Sequence, residues 1–309
     1  MKLGFVFPGQ GAQYVGMGKD LFEKYDTVKK VYDKASEVLG IDIKKLTFDS
    51  ADEELNQTKN TQIAILVMSL ALTKLLEENK IEADISSGLS LGEYSALAYS
   101  KFISFEDTLK IVKKRGEFMQ TYVPKGEWAM AAILGLDDNL VEEACNQTKS
   151  GFVVPANYNC IGQVAISGER IAVLEAMDNA KNLGAKRTIE LKTSGPFHTE
   201  KLIEASKKLR EELEKIDMKV NYNKKVIKNI DAKEYTENDD IKDILSKHVI
   251  SPVKFKNCIE EMILQGVDTF IEIGPGKVLS GFIKKTNKDV KVFNIENVET
   301  FEKCLEELQ

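Results

Sequence analysis

The sequence predicts an α/β protein, with a mostly parallel sheet, helices on both faces and a smaller second domain set into it. Three observations predict this. Strand-like apolar runs alternate with helix-period segments along most of the chain, the order expected of parallel strands joined by helical crossovers. One block, 125–194, breaks that order and reads strand, helix, strand, strand, helix, strand. The length, 309 residues, is enough to bury a large core and carry an insert.

LGFVF (3–7) is a continuous apolar run closed by Pro8 and Gly9, and reads as a buried strand. Leu21, Phe22, Tyr25, Val28, Val31, Tyr32, Ala35 and Val38 recur at helical spacing, so 20–39 is expected to be one amphipathic helix. Ser50-Ala51-Asp52-Glu53 resembles a capping box opening a short helix. Residues 61–79 predict a buried helix, ADISS (83–87) a short strand and 91–100 a helix. Ser104 is placed to cap a helix running to about Tyr122. Pro124, Lys125 and Gly126 then break the chain. WAMAAIL (128–134), FVVPANY (152–158), QVAIS (163–167) and KRTIEL (186–191) read as strands, with helices over 137–149 and 169–183. That βαββαβ order is the one found in ferredoxin-like domains, and it ends near Ser194-Gly195-Pro196. The expected division is a large domain of 1–124 and 195–309, and an insert of 125–194. The large domain resumes with an amphipathic helix over 199–215, a strand near 225–230, and helices at about 239–248 and 253–265. A strand (268–274), a helix (277–286), a strand (290–295) and a closing helix complete it.

The composition, 43% hydrophobic and 30% charged, is ordinary for a globular protein. A net charge of −6 argues against binding nucleic acid through phosphate neutralisation. Cys145, Cys160, Cys258 and Cys304 lie far apart without CxxC spacing, and read as reduced, buried thiols. The apolar run at the N-terminus is too short for a signal peptide. IAILVMSLAL (63–72) is too short to span a bilayer. A cytoplasmic monomer with no membrane or nucleic-acid partner is the expectation.

GLSLG (88–92) fits G-x-S-x-G, in which a serine sits on a sharp strand-to-helix turn at the end of a sheet. The flanking glycines leave room for that turn, and the next helix aims its N-terminus at the hydroxyl. A serine needs an adjacent base, and imidazole suits neutral pH. There are two histidines. His198 lies in a loop at the domain junction, where site residues concentrate, and is favoured as the base; His248, near a helix end, is the alternative. FPGQGAQ (7–13) follows a strand and invites a dinucleotide reading, but Tyr14 stands where the third small residue belongs. GPGK (274–277) lacks full phosphate-loop spacing and reads as a tight turn.

FPGQGAQ, GLSLGEYSAL (88–97), KKRGEFMQ (113–120), SGPFHT (194–199) and EIGPGKVLSG (272–281), in that order and across nearly the whole chain, resemble the malonyl-CoA:acyl carrier protein transacylase family of fatty-acid synthesis. The resemblance implies an α/β-hydrolase-like core with a ferredoxin-like insert, in agreement with the block found by periodicity. It implies Ser90 as the nucleophile that becomes a malonyl ester, His198 as general base and acid, and Arg115 as the clamp for the free carboxylate. It also implies the backbone N–H groups of Gln10 and Leu91 as the oxyanion hole. Two residues depart from the family. Leu89 stands where histidine is usual, which would make the pocket drier. His248 stands where glutamine is common; that position orients the imidazole through its backbone carbonyl, which survives the exchange. Phe197 would narrow the pocket against an α-methyl group.

No permanently bound cofactor or metal is implied; malonyl-CoA and CoA are substrate and product. The implied partner is holo acyl carrier protein, an acidic protein. Lys186, Arg187, Lys192 and Lys201 near the junction offer it a local basic surface.

Arg115 is one of only four arginines among 43 basic residues, and its fork can hold a carboxylate through two hydrogen bonds. Three other readings stay open at this stage. They are a discrete acyltransferase serving a polyketide synthase, a serine hydrolase that releases free malonate, and a silent module that docks carrier protein.

Overall fold

The computed structural model describes residues 1–193, 195–221 and 223–308. Ser194, the expected last residue of the insert and first of SGPFHT, lies outside the described residues, as do Tyr222 and Gln309. The chain begins with β1 (Leu3–Phe7), α1 (Lys19–Lys24), α2 (Asp26–Leu39), α3 (Ile43–Phe48), α4 (Asp52–Leu55) and α5 (Thr58–Glu78). β2 (Ile85–Gly88), α6 (Gly92–Tyr99) and α7 (Phe105–Thr121) follow. Next come β3 (Trp128–Leu134), α8 (Asp138–Asn146), β4 (Val153–Cys160), β5 (Gln163–Glu169), α9 (Arg170–Asn182) and β6 (Arg187–Leu191). The remainder is α10 (Ile203–Leu213), β7 (Lys225–Val226), α11 (Ile241–His248), α12 (Phe255–Leu264), β8 (Thr269–Ile273), α13 (Val278–Thr286), β9 (Lys291–Ile295) and α14 (Val298–Leu308).

The strands form two sheets. One is parallel, in the order β7-β2-β1-β8-β9; the other is antiparallel, in the order β4-β5-β3-β6. Alternation along β1 and β8 sends side chains to both faces of the parallel sheet. Phe5, Phe7, Ile271 and Ile273 join the core built on α5, while Val6 and Phe270 pack with Phe255, Ile259 and Met262 of α12. A sheet covered on both faces needs apolar strands throughout, which is why LGFVF is legible as a strand. Helix α5 is buried along most of its length, hence its lack of a polar face. One face of the antiparallel sheet (Ala131, Ile133, Val164, Ile166) packs on α8 and α9. The two sheets are tied at Val253: its N–H donates to the Ala156 carbonyl (2.9 Å), and its carbonyl accepts from the Tyr158 N–H (2.8 Å). Among the described residues no helix is long and apolar enough to cross a membrane.

Four local expectations need correction. The helix expected over 20–39 is two helices, because Tyr25 is extended (φ −111°, ψ 119°) and its ring meets Phe301 edge-on. Apolar spacing records burial, and Tyr25 stays apolar-side through the break. Ser50 caps nothing downstream: α4 begins after Ala51, and the Ser50 hydroxyl donates back to the Leu46 carbonyl at the end of α3 (2.7 Å). The helix expected from 199 opens as a 3-10 turn, Glu200–Leu202. The strand near 225–230 is two residues long, Lys225–Val226, and pairs in the sheet with the start of β2.

Candidate active site

The turn between β2 and α6 carries Ser90. Its backbone is left-handed (φ 54°), a conformation that side chains with a Cβ adopt at some expense. The flanking glycines are required by contact: a Cβ on Gly88 would lie 2.0 Å from the Gly92 carbonyl carbon, and one on Gly92 would lie 2.0 Å from the Phe7 oxygen. The Ser90 N–H donates to Asn229 Oδ1 (2.8 Å), while Asn229 Nδ2 donates to the Gly88 carbonyl (2.7 Å). One side chain thus pins both ends of the elbow. Asn229 is itself held by Glu93: its N–H donates to Glu93 Oε2 (3.1 Å), and the Tyr235 hydroxyl donates to Oε1 (2.6 Å). All four are buried or nearly so, and burial pushes the Glu93 carboxyl up to about 7.

His198 follows Pro196-Phe197 at the end of the junction loop and is also left-handed (φ 59°). Its Nε2 lies 2.7 Å from Ser90 Oγ. Its Nδ1 lies 3.0 Å from the His248 carbonyl oxygen and 3.2 Å from that of Ser251. Carbonyls only accept, so Nδ1 carries the proton and Nε2 offers its lone pair to the serine hydroxyl. Burial, and then the Arg115 charge, push the imidazole down to about 4, and the two carbonyls oppose them. The ring is therefore neutral at pH 7.

Arg115 projects from α7 and is 1% exposed. Its Nη2 donates to Ser90 Oγ (3.0 Å) and its Nη1 to Gln62 Oε1 (2.8 Å); Nε has no partner among the described residues. The guanidinium carbon lies 5.4 Å from the Tyr94 ring centre. No carboxylate comes within ion-pair distance of Arg115 among the described residues. A buried guanidinium without a carboxylate partner favours an anion placed beside it.

The amide N–H groups of Gln10 and Leu91 have no acceptor among the described residues, unlike neighbouring Leu89 and Gly92. Leu89 is half-buried, with its Cδ2 against Gly9. Phe197 is 6% exposed and joins the main apolar core. Beside His198 opens a cleft of about 430 Å³, walled by Phe152, by Val154, Pro155 and Tyr158 of β4, by Glu142 and Asn146 of α8, and by Thr199, Glu200, Ile250 and Pro252.

The His248 ring does not reach the serine. Neither of its nitrogens has a hydrogen-bond partner among the described residues, and its Nδ1 is 3.4 Å from Glu93 Oε2. Burial pushes it well below its usual range, so it is neutral and contributes its carbonyl.

The fold thus brings Ser90, His198, Arg115, Leu89 and the His248 carbonyl to one place. Asn229, Gln62, Glu93, Tyr235 and the Ser251 carbonyl were not foreseen. Gln62 had a signal, a polar residue opening an apolar helix; Asn229, in a lysine-rich loop, had none.

A family model described as an acyl transferase domain matches residues 4–303. A malonyl CoA-acyl carrier protein transacylase of Bacillus subtilis is 45% identical over 310 residues, covering 100% of this chain and 98% of that protein. The crystal structure of a malonyl CoA-acyl carrier protein transacylase from Clostridium perfringens superposes with a TM-score of 0.95 at 47% identity, covering 100% of this chain and 97% of that one. A malonyl-transacylase solved in complex with a holo type II polyketide acyl-carrier protein gives 0.95 at 36% identity, covering 99% and 100%.

Proposed function

The chain belongs to the malonyl-CoA:acyl carrier protein transacylase family, and from that premise we propose how its residues divide the reaction. The enzyme moves the malonyl group from malonyl-CoA to the phosphopantetheine thiol of acyl carrier protein in a ping-pong sequence. One observation carries the division of labour: Ser90 Oγ lies between His198 Nε2 at 2.7 Å and Arg115 Nη2 at 3.0 Å.

Arg115 takes the malonyl carboxylate. Ser90 Oγ attacks the thioester carbonyl as His198 Nε2 accepts its proton. The carbonyl oxygen becomes an oxyanion facing the Gln10 and Leu91 N–H groups, each such donor contributing about 10²–10³ in rate. The intermediate collapses, the C–S bond breaks, and the imidazolium returns its proton to the CoA sulfur. The carrier thiol then gives its proton to Nε2 and attacks the ester. Ser90 Oγ leaves and recovers the proton. The His248 and Ser251 carbonyls keep the imidazole in the working tautomer. Leu89 and Phe197 are the proposed apolar neighbours of the acyl group, supported by their burial beside Ser90 and His198 in sequence.

The finer architecture is part of the same proposal: an α/β-hydrolase-like large domain (1–124 and 195–309) with a ferredoxin-like insert (125–194). The serine elbow after β2 supports the first, and the order β4-β5-β3-β6 supports the second. The cleft beside His198 would shelter the ester from water. Lys201, which extends over the Phe152 ring at that cleft (4.4 Å) and also pairs with Glu200 (3.7 Å), forms with Lys186, Arg187 and Lys192 the proposed basic approach for the carrier. We place the enzyme in the cytoplasm as a monomer. Four free, buried thiols support the compartment, and a site drawn from one chain supports the monomer.

Fatty-acid synthesis is the proposed destination of the malonyl unit. A polyketide carrier is the second reading, favoured by the likeness to the transacylase solved with such a partner. Intact-protein mass spectrometry with malonyl-CoA tests the scheme. The wild type should gain a malonyl group on Ser90 and discharge it to holo carrier protein; Ser90→Ala should gain none. An adduct on another residue refutes the nucleophile. Release of free malonate without carrier marks a hydrolase, and a panel of carriers separates the two destinations.

A further inference from the structure

The Arg115 guanidinium donates directly to the nucleophile. Ser90 Oγ accepts from Nη2 at 3.0 Å while its own proton points to His198 Nε2 at 2.7 Å. Gln62 holds the other arm of the guanidinium, and no carboxylate competes for it among the described residues.

This contact has a direction. Attack turns the hydroxyl oxygen into an ester oxygen, which is a poorer acceptor. Attack also draws on the Oγ lone-pair density that Nη2 engages, so the charge-assisted bond from Arg115 must weaken as the C–O bond forms, and it slows the step. The same step makes His198 a cation beside a second cation, which is unfavourable in a buried site. A carboxylate lying on Arg115 relieves both effects: it offers the guanidinium a better acceptor and cancels its charge.

Building on the assignments of Ser90, His198 and Arg115 made above, we propose that Arg115 is a latch as well as a clamp. It mutes Ser90 through this contact, and the malonyl carboxylate releases the serine by drawing the guanidinium onto itself. Selectivity then lies in the rate of acylation as well as in affinity. An acetyl thioester can occupy the site, but it lacks the group that frees the nucleophile. The idle enzyme is correspondingly unreactive toward neutral electrophiles.

The test uses phenylmethanesulfonyl fluoride, a neutral reagent for activated serines, with Ser90 labelling followed by mass spectrometry. Wild-type enzyme is labelled alone, with acetate, and with acetamide or chloride at matched concentration. Acetate should raise the labelling rate roughly tenfold, in keeping with loss of a charge-assisted hydrogen bond, and the two controls should not. Arg115→Ala should label faster than wild type without acetate and should ignore acetate. A wild-type rate that is flat or slower in acetate overturns the latch, as does slower labelling of Arg115→Ala. If that variant does not fold, the wild-type series decides alone. Malonyl-CoA labelling of the same wild-type sample separates the two levels. A malonyl adduct on Ser90 with no acetate response ends only the latch, whereas absence of the adduct ends the enzymatic reading beneath it.

Discussion

Two strand-to-helix turns leave the same edge of the parallel sheet, one after β2 and one after β8, and they are finished in opposite ways. The turn after β8 satisfies itself. Glu272 accepts from the Leu279 and Ser280 N–H groups (3.0 and 2.7 Å) and from the Ser280 hydroxyl (2.7 Å), closing the start of α13. Its left-handed positions, Gly274 and Gly276, are glycines, for which that backbone is cheap. The turn after β2 puts serine in the left-handed position and, among the described residues, leaves the Leu91 N–H without an acceptor and faces a buried arginine that has no carboxylate. Both turns are glycine-rich in sequence. The proposed reactivity belongs to the one whose donors and charge are left for a ligand; the other has spent them on its own helix.

Substitutions can break this contrast. The largest effect is expected at the first turn: His198→Ala should cut the rate of Ser90 malonylation by about 10²–10⁴, whereas His248→Gln, which keeps the carbonyl, should be mild. A stopped-flow series with the reverse ranking would move the base to His248. At the second turn, Glu272→Ala leaves three donors unpaired and should cost about 1–3 kcal/mol, read as a lower urea midpoint, with malonylation per folded molecule unchanged. A loss of acylation instead would make the second turn part of the site. The smallest stability effect sharpens the contrast through strain. Ser90→Gly should end activity yet stabilise the fold by about 1–2 kcal/mol, because glycine carries no penalty at φ 54°. Gly276→Ala, at φ 77°, should shift the midpoint the other way.

The pH dependence gives a further check on the first turn. In the proposed mechanism His198 acts as a base when neutral, and its surroundings push it down to about 4. Free-enzyme activity, read as kcat/KM, should hold as pH falls from neutral and drop only as His198 gains a proton near that value. A limb near 6.5 would mean that burial and the Arg115 charge do not act on the ring as the geometry requires.

Much of this was legible in the chain. Strands buried on both faces, such as LGFVF, announce themselves by continuous apolarity. Ser90, His198 and Arg115 sit in segments whose residue types match their chemistry. What could not be read falls into two kinds. The Ser251 carbonyl acts through a group every residue owns, so no residue type marks it. Asn229, Glu93 and Tyr235 act through long-range hydrogen bonds, with Asn229 following a two-residue strand that has no periodicity to detect. The Tyr25 break escaped because helical spacing continues through an extended residue that stays on the buried side.

The positive φ at Ser90 and His198 also limits what this enzyme can become. A β-branched residue is a steric outlier in that region, so descent to a threonine nucleophile is closed even though its hydroxyl chemistry is equivalent. Cysteine, unbranched at Cβ, remains open at position 90 and would store the acyl group as a thioester. The backbone thus filters which lineages of catalyst can grow from this scaffold before any question of reactivity arises.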